Sequence, residues 1–299
     1  MSGVVAIVNP AAGGGRSEKL APAALERLRG AGIEAEVLNT SASGDATRLA
    51  REAYGRGVRG FIAVGGDGTS YEIVNGIFPQ ALEGGDRPWL GFLPLGTGNS
   101  FLRDFTDEGA DHSITALTSG NRRPCDVVRL SCDGGEIFYI NLLSLGFTAD
   151  VGSMANDRFK GLGDLGYVLA VVLQTARLGP RAFRMRLDDA RDWNQYGVFV
   201  SFCNSRYTGG KMMMAPYADT GDGKLDVVMA GDMARRQLLA AFPRIFKGTH
   251  VHLPTVTSSQ ASVVEIDVDG PMDLMVDGEV IHDRPRRLEV LSGALDVCV

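Results

Sequence analysis

Three glycine-bearing segments carry residue types that suit phosphate chemistry, and each follows a run of apolar residues. They are Asn9–Gly15 (NPAAGGG), Gly65–Thr69 (GGDGT) and Leu95–Asn99 (LGTGN), with weaker companions at Asn39–Ser41 and Gly84–Gly85. Glycine lets backbone N–H groups approach an anion without a Cβ in the way. A helix N-terminus behind such a loop adds a favourable dipole. One loop of this kind is usually a plain strand-to-helix turn, but three at one sheet edge, one of them carrying Asp67 for Mg²⁺, predict a nucleotide phosphate site.

Other motifs in the chain do not support a different chemistry. The chain has no GxxxxGK[ST] sequence, so a P-loop lysine is excluded. A GxGxxG sequence at Gly161–Gly166 follows a polar stretch rather than a strand, and we interpret it as a flexible helix entry. The His250-x-His252 pair is expected on one face of a strand, where a structural role is favoured over a metal site. The run Met212–Met214 is expected to line a strand core or a pocket.

The elements that position the three loops alternate between strands and helices over the first 120 or so residues. The predicted strands are Val4–Val8, Ile33–Leu38, Gly60–Val64 and Trp89–Leu93. One predicted helix begins at Ser17, and three others span Asp45–Tyr54, Tyr71–Phe78 and Asp111–Leu117. This alternation predicts a parallel sheet covered by helices. Ligands of such sheets bind at the carboxyl ends of the strands, where the glycine-bearing loops lie.

After about residue 122 the pattern becomes a series of short strands separated by Gly, Asp and Asn clusters, which favours an antiparallel sandwich. The predicted strands are Asp126–Ser131, Ile137–Leu143, Phe183–Asp188, Gly197–Cys203, Leu225–Ala230, Val263–Val268 and Leu274–Val276, interrupted by helices at Leu165–Leu178 and Ala234–Phe246. The predicted fold class is α/β plus β. The α/β domain covers residues 1–122, with 284–299 as a segment that could pack back onto it, and the β-rich domain covers 123–283. The cleft between two such domains is the expected site.

Composition limits the classes of function. The 299 residues are 44% hydrophobic and 22% charged, with a formal net charge of −6, which argues against a nucleic-acid binder. No run of about 18 apolar residues predicts a transmembrane helix. The first ten residues do not resemble a secretory signal. The four cysteines show no CxxC spacing, so free thiols and a cytoplasmic location are expected.

The ordered set of motifs resembles the diacylglycerol kinase catalytic-domain family. It is most similar to the soluble bacterial lipid kinases, whose relatives include sphingosine and ceramide kinases. The resemblance rests on NPAAGGGR (Asn9–Arg16), GGDGTSYEIVNGI (Gly65–Ile77) and PLGTGNSFLRD (Pro94–Asp104), and it continues through CDVVRL (Cys125–Leu130), FYINLLSLGFTADV (Phe138–Val151), GGKMMMAPYADTGDGKLDV (Gly209–Val227) and VDGE (Val276–Glu279). The resemblance implies an α/β nucleotide domain like those of NAD kinase and phosphofructokinase, followed by an antiparallel β-sandwich domain.

The resemblance also implies which residues bind the cofactors ATP and Mg²⁺. The implied ATP-binding residues are Asn9, Pro10, Gly13, Gly15, Arg16, Thr40, Gly65, Gly66, Asp67, Gly68, Thr69, Glu72, Gly96, Thr97, Gly98 and Asn99. Among these, Glu72 is expected to brace the GGDGT loop from the helix behind it, together with Asn75. A second, structural Mg²⁺ site is implied at Asp219, Asp222 and Lys224, with a simple β-turn as the alternative.

Two carboxylates are candidates for the chemistry. The resemblance implies that Glu279 accepts the proton of the lipid hydroxyl, and we assign Asp67 to Mg-ATP, since phosphoryl transfer depends mainly on positioning and charge neutralisation. The reverse assignment, with Asp67 as the base, stays open because some eukaryotic relatives are described in that way.

The implied function is an ATP- and Mg²⁺-dependent kinase that phosphorylates the hydroxyl of a diacylglycerol-like lipid to a phosphatidic-acid-type product. The alternatives are an NAD kinase-type phosphotransferase and a nucleotide-gated lipid-binding protein without turnover. Sphingosine kinases typically carry an acidic residue where this chain has Gly152, so a neutral glycerolipid is favoured. The expected partner is a lipid at a membrane surface, bound weakly and peripherally at the inner face. A homodimer is an option, and nucleic acid is not expected.

Overall fold

The computed structural model describes residues 3–96, 98–146, 179, 181–188 and 191–299. Contacts divide the chain into unit 1, Met1–Val127 with Leu291–Val299, and unit 2, Val128–Val290. The sequence predicts the boundary between the two domains at residues 122 and 123. The predicted segments Gly161–Gly166 and Leu165–Leu178, and the position Gly152, lie outside the described residues.

Unit 1 begins with alternating strands and helices. These are β1 (Val4–Val8), α1 (Arg16–Gly30), β2 (Ala35–Asn39), α2 (Asp45–Gly55), β3 (Gly60–Gly65), α3 (Asp67–Ile77), β4 (Trp89–Pro94) and α4 (Ala110–Ser119), with 3₁₀ turns at Gln80–Glu83 and Leu102–Asp104. Helix α1 buries Ser17, Ala21, Ala24 and Leu28 at helical spacing. That stripe packs on Ala6, Ile62 and Leu93 of the sheet. A fully buried leucine such as Leu28 contributes roughly 1.5–3 kcal/mol to folding.

Strands dominate the rest of the chain. They are β5 (Arg123–Cys132), β6 (Gly135–Tyr139), β7 (Leu142–Gly146), β8 (Arg181–Leu187), β9 (Arg191–Cys203), β10 (Tyr207–Thr208), β11 (Met212–Met213), β12 (Leu225–Gly231), β13 (Val256–Ala261), β14 (Val263–Asp267), β15 (Met272–Val276), β16 (Glu279–Asp283) and β17 (Pro285–Cys298). The helix α5 (Arg235–Ile245) follows β12, and a 3₁₀ turn spans Thr249–His252. Strands β5 and β17 run across the unit boundary.

The sheet of unit 1 is parallel, which confirms the predicted fold class for this half of the chain. Its order is β17-β4-β3-β1-β2. In register, Val8 pairs with both Asn39 and Val64, and Gly65 pairs with Pro94. The end of β17 extends the sheet, with Asp296 beside Trp89 of β4. Because the strands run in one direction, the loops that leave β1, β2, β3 and β4 all start at one edge.

The strands of unit 2 pair antiparallel, as predicted. Strand β9 is central, since it pairs with β8 over Arg191–Gly197 and with β7 over Phe199–Cys203. Helix α5 places Leu238 and Ile245 against an apolar cluster that includes Met212, Met214 and Met233. No helix in the described ranges is long and apolar enough to span a bilayer.

Two sequence predictions in unit 2 are wrong. The expected strand Ile137–Leu143 is two strands, because the backbone N–H groups of Ile140, Asn141 and Leu142 donate to the carboxylate of Asp277 instead of to a neighbouring strand. The His250-x-His252 pair lies on a 3₁₀ turn rather than on a strand. There His250 is buried and His252 is exposed, so the two rings do not share a face.

Candidate functional site

Backbone hydrogen bonds join the loops at the carboxyl edge of the unit 1 sheet. The N–H groups of Leu95 and Gly96 both donate to the Gly65 carbonyl at 2.9 Å. The Asn9 N–H donates to the Val64 carbonyl at 3.0 Å, and the Thr40 N–H donates to the Val8 carbonyl at 2.9 Å. The first residues after β1, β2 and β4 are therefore tied to the neighbouring strand ends.

Glycine is required where two of these loops touch. A Cβ on Gly96 would lie 2.6 Å from Cα of Gly66, and a Cβ on Gly13 would lie 2.9 Å from the Leu95 carbonyl oxygen. Gly13 also has a φ of +62°, a left-handed conformation that favours glycine. Any side chain at these positions would separate the loops that follow β1, β3 and β4. The loops therefore form one continuous backbone surface.

Asp67 links the second and third loops. Its Oδ2 accepts the Ser100 N–H at 2.8 Å, and its Oδ1 accepts the Phe101 N–H at 3.3 Å. Burial raises the pKa of the Asp67 carboxyl above its usual value, and the two N–H donors partly oppose that rise. Each carboxylate oxygen keeps further acceptor capacity, because a carboxylate has about four acceptor sites. Asp67 can therefore hold the 98–101 turn and still offer an oxygen to a cation.

Two buried hydroxyls lie in the first turns of the helices behind the loops. Ser17 of α1 is 0% exposed and Thr69 of α3 is 3% exposed. Neither Oγ of Ser17 nor Oγ1 of Thr69 has a hydrogen-bond partner in the described structure. A buried hydroxyl without a partner is unfavourable by about 1–3 kcal/mol, so such groups are expected to meet a ligand or a water. The backbone N–H groups of the glycine loops and the Asp67 oxygens are groups that suit a phosphate with a bound cation.

Other predicted site residues support the loops from within. Asn9 Oδ1 accepts the Ala11 N–H at 3.1 Å, and the Pro10 carbonyl accepts the Glu18 N–H at 3.2 Å. Asn99 adopts a φ of +49° and donates from Nδ2 to the Gly96 carbonyl at 3.1 Å. Gly15 is the residue before α1, with a φ of 86°, and Arg16 is exposed at the start of that helix. Gly68 lies in the first turn of α3. Thr97 lies outside the described residues.

Glu72 binds the N-terminus of a neighbouring helix. Its Oε1 accepts the Gly44 N–H and its Oε2 accepts the Ala46 N–H, both at 2.9 Å. These are N–H groups at the start of α2, which otherwise lack a helical partner. Glu72 therefore connects α3 to α2, and through α2 to the loop that contains Thr40. Its role as a nucleotide ligand stays a prediction.

Glu279 lies in unit 2 at the start of β16. It pairs with Val276 across a two-residue turn, in which Asp277 has a φ of +48° and Gly278 a φ of +92°. Two positive φ values define the tight hairpin turn for which Asp-Gly is a preferred sequence. Glu279 is exposed, whereas Asp277 is buried. The hairpin therefore presents the predicted base to solvent from a buried, hydrogen-bonded turn.

The predicted second cation site is a loop with two Asx-type hydrogen bonds. Asp219 Oδ1 accepts the Gly221 N–H at 3.1 Å, and Asp222 Oδ1 accepts the Lys224 N–H at 2.9 Å. Among the described residues, no group of three or more His, Cys, Asp or Glu side chains could hold a metal ion. The predicted site uses backbone carbonyls of Asp219 and Lys224 beside the Asp222 carboxylate, so it stays a prediction.

Comparison with known proteins follows the division into two units. The family model for the diacylglycerol kinase catalytic domain matches residues 3–130, and the model for the YegS C-terminal NAD kinase beta sandwich-like domain matches residues 141–299. A Mycobacterium tuberculosis protein named diacylglycerol kinase is 31% identical over 297 residues, 98% of this chain and 94% of that protein. The chain belongs to the diacylglycerol kinase family.

Further relatives agree in name and in fold. A Bacillus subtilis protein named diacylglycerol kinase is 28% identical, over 91% of this chain and 88% of that protein. A crystal structure described as that of "a putative diacylglycerol kinase from Bacillus anthracis str. Sterne" superposes with a TM-score of 0.79 at 24% identity, and covers 99% of this chain and 97% of that one. As a member of the family, this chain is an enzyme of the lipid kinase class.

Sequence reasoning missed Ser17 and the inward role of Asp277. The sequence identifies Ser17 only as the start of a helix, and the burial of its hydroxyl is visible only in the structure. In the sequence Asp277 is only one residue of the VDGE motif, and its three N–H donors come from residues 140–142, which are distant in sequence.

Proposed function

We propose that this chain is an ATP- and Mg²⁺-dependent lipid kinase that phosphorylates the hydroxyl of a diacylglycerol-like lipid. The observation that carries the proposal is the continuous surface formed by the three glycine loops, with the unpartnered Ser17 and Thr69 hydroxyls behind it. The names of the relatives support the lipid as the acceptor. The position of Gly152, where a basic lipid headgroup would call for an acidic side chain, favours a neutral glycerolipid.

Unit 1 would bind the phosphates of ATP through its loop N–H groups and the hydroxyls of Ser17 and Thr69. Asp67 would hold Mg²⁺, which neutralises charge on the transferring phosphoryl oxygens. The link from Asp67 to the Ser100 and Phe101 N–H groups fixes the direction of its carboxylate. A fixed carboxylate needs little reorganisation when charge develops, which favours catalysis.

Unit 2 would supply the base. We propose that the carboxylate of Glu279 accepts the proton of the lipid hydroxyl. Its exposure leaves it accessible to a substrate, and its place beside a hydrogen-bonded turn limits its movement. The loop Asp219–Lys224 is proposed to hold a second, structural cation through the Asp222 carboxylate and the backbone carbonyls of Asp219 and Lys224, as the family resemblance implies; the Asx-type bonds of Asp219 and Asp222 hold this loop in a compact turn.

The lipid is proposed to come from an anionic membrane surface that binds a strip along α5. We define the α5 strip as Arg235, Arg236, Leu239, Phe246 and Lys247. Leu239 and Phe246 are 45% and 47% exposed, and the three basic residues form no ion pair within the described ranges. No Asp or Glu occurs between residues 233 and 264, in a chain with a net charge of −6. A basic and apolar helical strip of this kind suits an interfacial helix.

The test is phosphate transfer from labelled ATP to either a lipid extract or NAD, resolved by thin-layer chromatography. The proposal expects label in a lipid that migrates like phosphatidic acid, with no transfer when Mg²⁺ is chelated. Label in the dinucleotide would instead establish the NAD kinase alternative. Nucleotide-dependent lipid binding without any transfer would establish the silent lipid-binding alternative.

A further inference from the structure

The turn that precedes Glu279 contains a buried carboxylate with an unusual set of partners. Asp277 is 4% exposed. Its Oδ2 accepts the Ile140 N–H at 3.1 Å, and its Oδ1 accepts the Asn141 and Leu142 N–H groups at 3.1 and 2.9 Å. A fourth bond runs the other way, from the Asp277 N–H to the Leu142 carbonyl at 3.0 Å. The β15–β16 turn is therefore attached by four hydrogen bonds to the short break between β6 and β7.

Turn geometry alone does not require this arrangement. The positive φ values at residues 277 and 278 would also suit Asn-Gly or Gly-Gly, neither of which carries a charge. A carboxylate that accepts three N–H bonds is held much more firmly, because hydrogen bonds to an ionised acceptor are about twice as strong as neutral ones. The break between β6 and β7 also leaves those three N–H groups without a strand partner. The Asp277 carboxylate provides the acceptors that they lack.

The segment that donates to Asp277 is also hydrogen-bonded through its carbonyl groups. Asn204 donates from Nδ2 to the Ile140 carbonyl at 2.7 Å, and the Asn204 N–H donates to the Asn141 carbonyl at 2.8 Å. Asn141 and Asn204 are both buried. Glu279 follows the turn directly and pairs with Val276, which in turn pairs with Leu143 of β7. Glu279 is therefore linked to β7 in two ways, through the Val276–Leu143 strand pair and through the hydrogen bonds of Asp277, the residue two positions before it.

We propose that Asp277 is a positioning residue, whose buried carboxylate fixes the backbone that presents Glu279 to the acceptor hydroxyl. The inference rests on the proposed function, because it assumes that Glu279 is the base. Asp277 itself does not exchange a proton with substrate. It acts by holding the 277–279 backbone, and a displacement of about 1 Å in a reacting group can cost about 10²-fold in rate.

The first variant is Asp277→Asn. The amide keeps the size of the side chain but places an NH₂ against one of the three N–H donors, so one hydrogen bond becomes a donor–donor contact. We expect kcat to fall by about 10²-fold with the KM for ATP nearly unchanged, because the nucleotide residues lie in unit 1. The matched control is Asp188→Asn, since Asp188 also has a positive φ and accepts the Ser262 and Val263 N–H groups, both at 3.0 Å, in a turn without predicted site residues. The control should keep its kcat.

A double-mutant cycle separates positioning from loss of folded protein. If Asp277 acts through Glu279, then Glu279→Gln should lower kcat strongly in the wild-type chain but only slightly in the Asp277→Asn chain. A purely structural role would make the two losses multiply. Multiplying losses, or an unchanged kcat in Asp277→Asn, would overturn the proposal.

Variants that do not fold, and a Glu279→Gln variant without effect, also have defined interpretations. If Asp277→Asn does not fold at the assay temperature, Asp277→Gly replaces it, because glycine fits the left-handed turn and removes only the carboxylate. Failure of both variants to fold would make Asp277 a folding residue and refute the positioning role. If Glu279→Gln has no effect in the wild-type chain, the proposed base is wrong, whatever Asp277 does.

Discussion

At the scale of single residues, Asp67 has two tasks that can be separated. Its carboxylate holds the 98–101 turn, and it is proposed to hold Mg²⁺. Asp67→Asn keeps one oxygen as an acceptor, places an NH₂ group against one of the two N–H donors, and removes the charge that a cation needs. We expect kcat to fall by about 10²-fold or more, since a catalytic metal supplies several kcal/mol of transition-state stabilisation. Asp67→Ala loses both hydrogen bonds, so it should lose kcat equally and unfold at a lower temperature than Asp67→Asn.

The measurements are steady-state kinetics across Mg²⁺ concentrations and thermal unfolding of both variants. A near-normal kcat in Asp67→Asn, with an unchanged Mg²⁺ dependence, would show that Asp67 does not hold the metal.

We expect His250 to make the stability of the folded protein depend on pH. Its Nε2 lies 3.0 Å from the Met214 carbonyl, and its Nδ1 has no partner in the described structure. Burial lowers the pKa of His250 below its usual 6.5; the nearby His252 lowers it further, and the Met214 carbonyl opposes the change. The unfolded chain therefore binds a proton on His250 more readily than the folded chain does. The contribution of neutral His250 to the free energy of unfolding is fully present above about pH 6.5 and is lost as the pH falls below that value.

The variant that tests this is His250→Gln, whose amide can still donate to the Met214 carbonyl but does not titrate. The fall in melting temperature between neutral and mildly acidic pH should be smaller in His250→Gln than in the wild-type chain. His252→Gln, at an exposed position, is the control and should retain the wild-type slope. Equal slopes in all three proteins would refute the role of His250.

At the scale of elements, Glu72 couples helix α3 to the start of α2, which follows a loop of the proposed nucleotide site. Glu72→Gln would place an NH₂ group against the Gly44 or the Ala46 N–H. Loss of a helix N-terminal cap costs about 0.5–2 kcal/mol, so the free energy of unfolding should fall by that amount. The KM for ATP should rise as well, because the start of α2 follows the loop that contains Thr40.

Chemical denaturation and ATP kinetics provide the test, with Glu52→Gln on α2 as the control. Glu52 is exposed and pairs with Arg48 at 3.0 Å one helical turn away. Such surface pairs contribute only about 0.2–0.5 kcal/mol. If Glu52→Gln destabilised the protein as much as Glu72→Gln, the capping role would be wrong.

At the scale of the whole molecule, the distribution of charge is proposed to direct the encounter with the lipid surface. Binding to vesicles that contain phosphatidylglycerol should be strong at low salt and weak at high salt. Replacing Arg235 and Arg236 by Gln should weaken binding by about 2 kcal/mol, or roughly 30-fold, because each basic residue at an anionic surface contributes about 1 kcal/mol.

The control replaces Arg184 and Arg186 by Gln, which changes the net charge equally. Those two side chains already form ion pairs with Asp267, Asp269 and Asp192 on the sheet face of unit 2. Vesicle binding of this control should match that of the wild-type chain. Equal losses of binding in both double variants would mean that net charge, rather than the α5 strip, governs docking. If the wild-type chain does not bind these vesicles at low salt, α5 is not the docking face.

The sequence by itself determined the fold class, the family and the order of the loops. Apolar runs such as Val4–Val8, each followed by glycine, are local signals, and a parallel sheet then brings the strand ends to one edge regardless of detail. The polar strand β13 and the long strand β17 were not predicted, because Ser, Arg and Gly residues obscure the alternation in them.

Tertiary structure alone decided which polar groups meet. The contacts of Glu72 with Gly44, of Asp67 with Ser100, and of Asp277 with Ile140 all join segments far apart in sequence. Local patterns carry no information on such pairs, since hydrogen bonds between distant segments form only after packing brings their backbones together. The division of the predicted strand Ile137–Leu143 has the same cause: its apolar residues favour one strand, but a buried carboxylate from a distant turn takes the N–H groups at its centre.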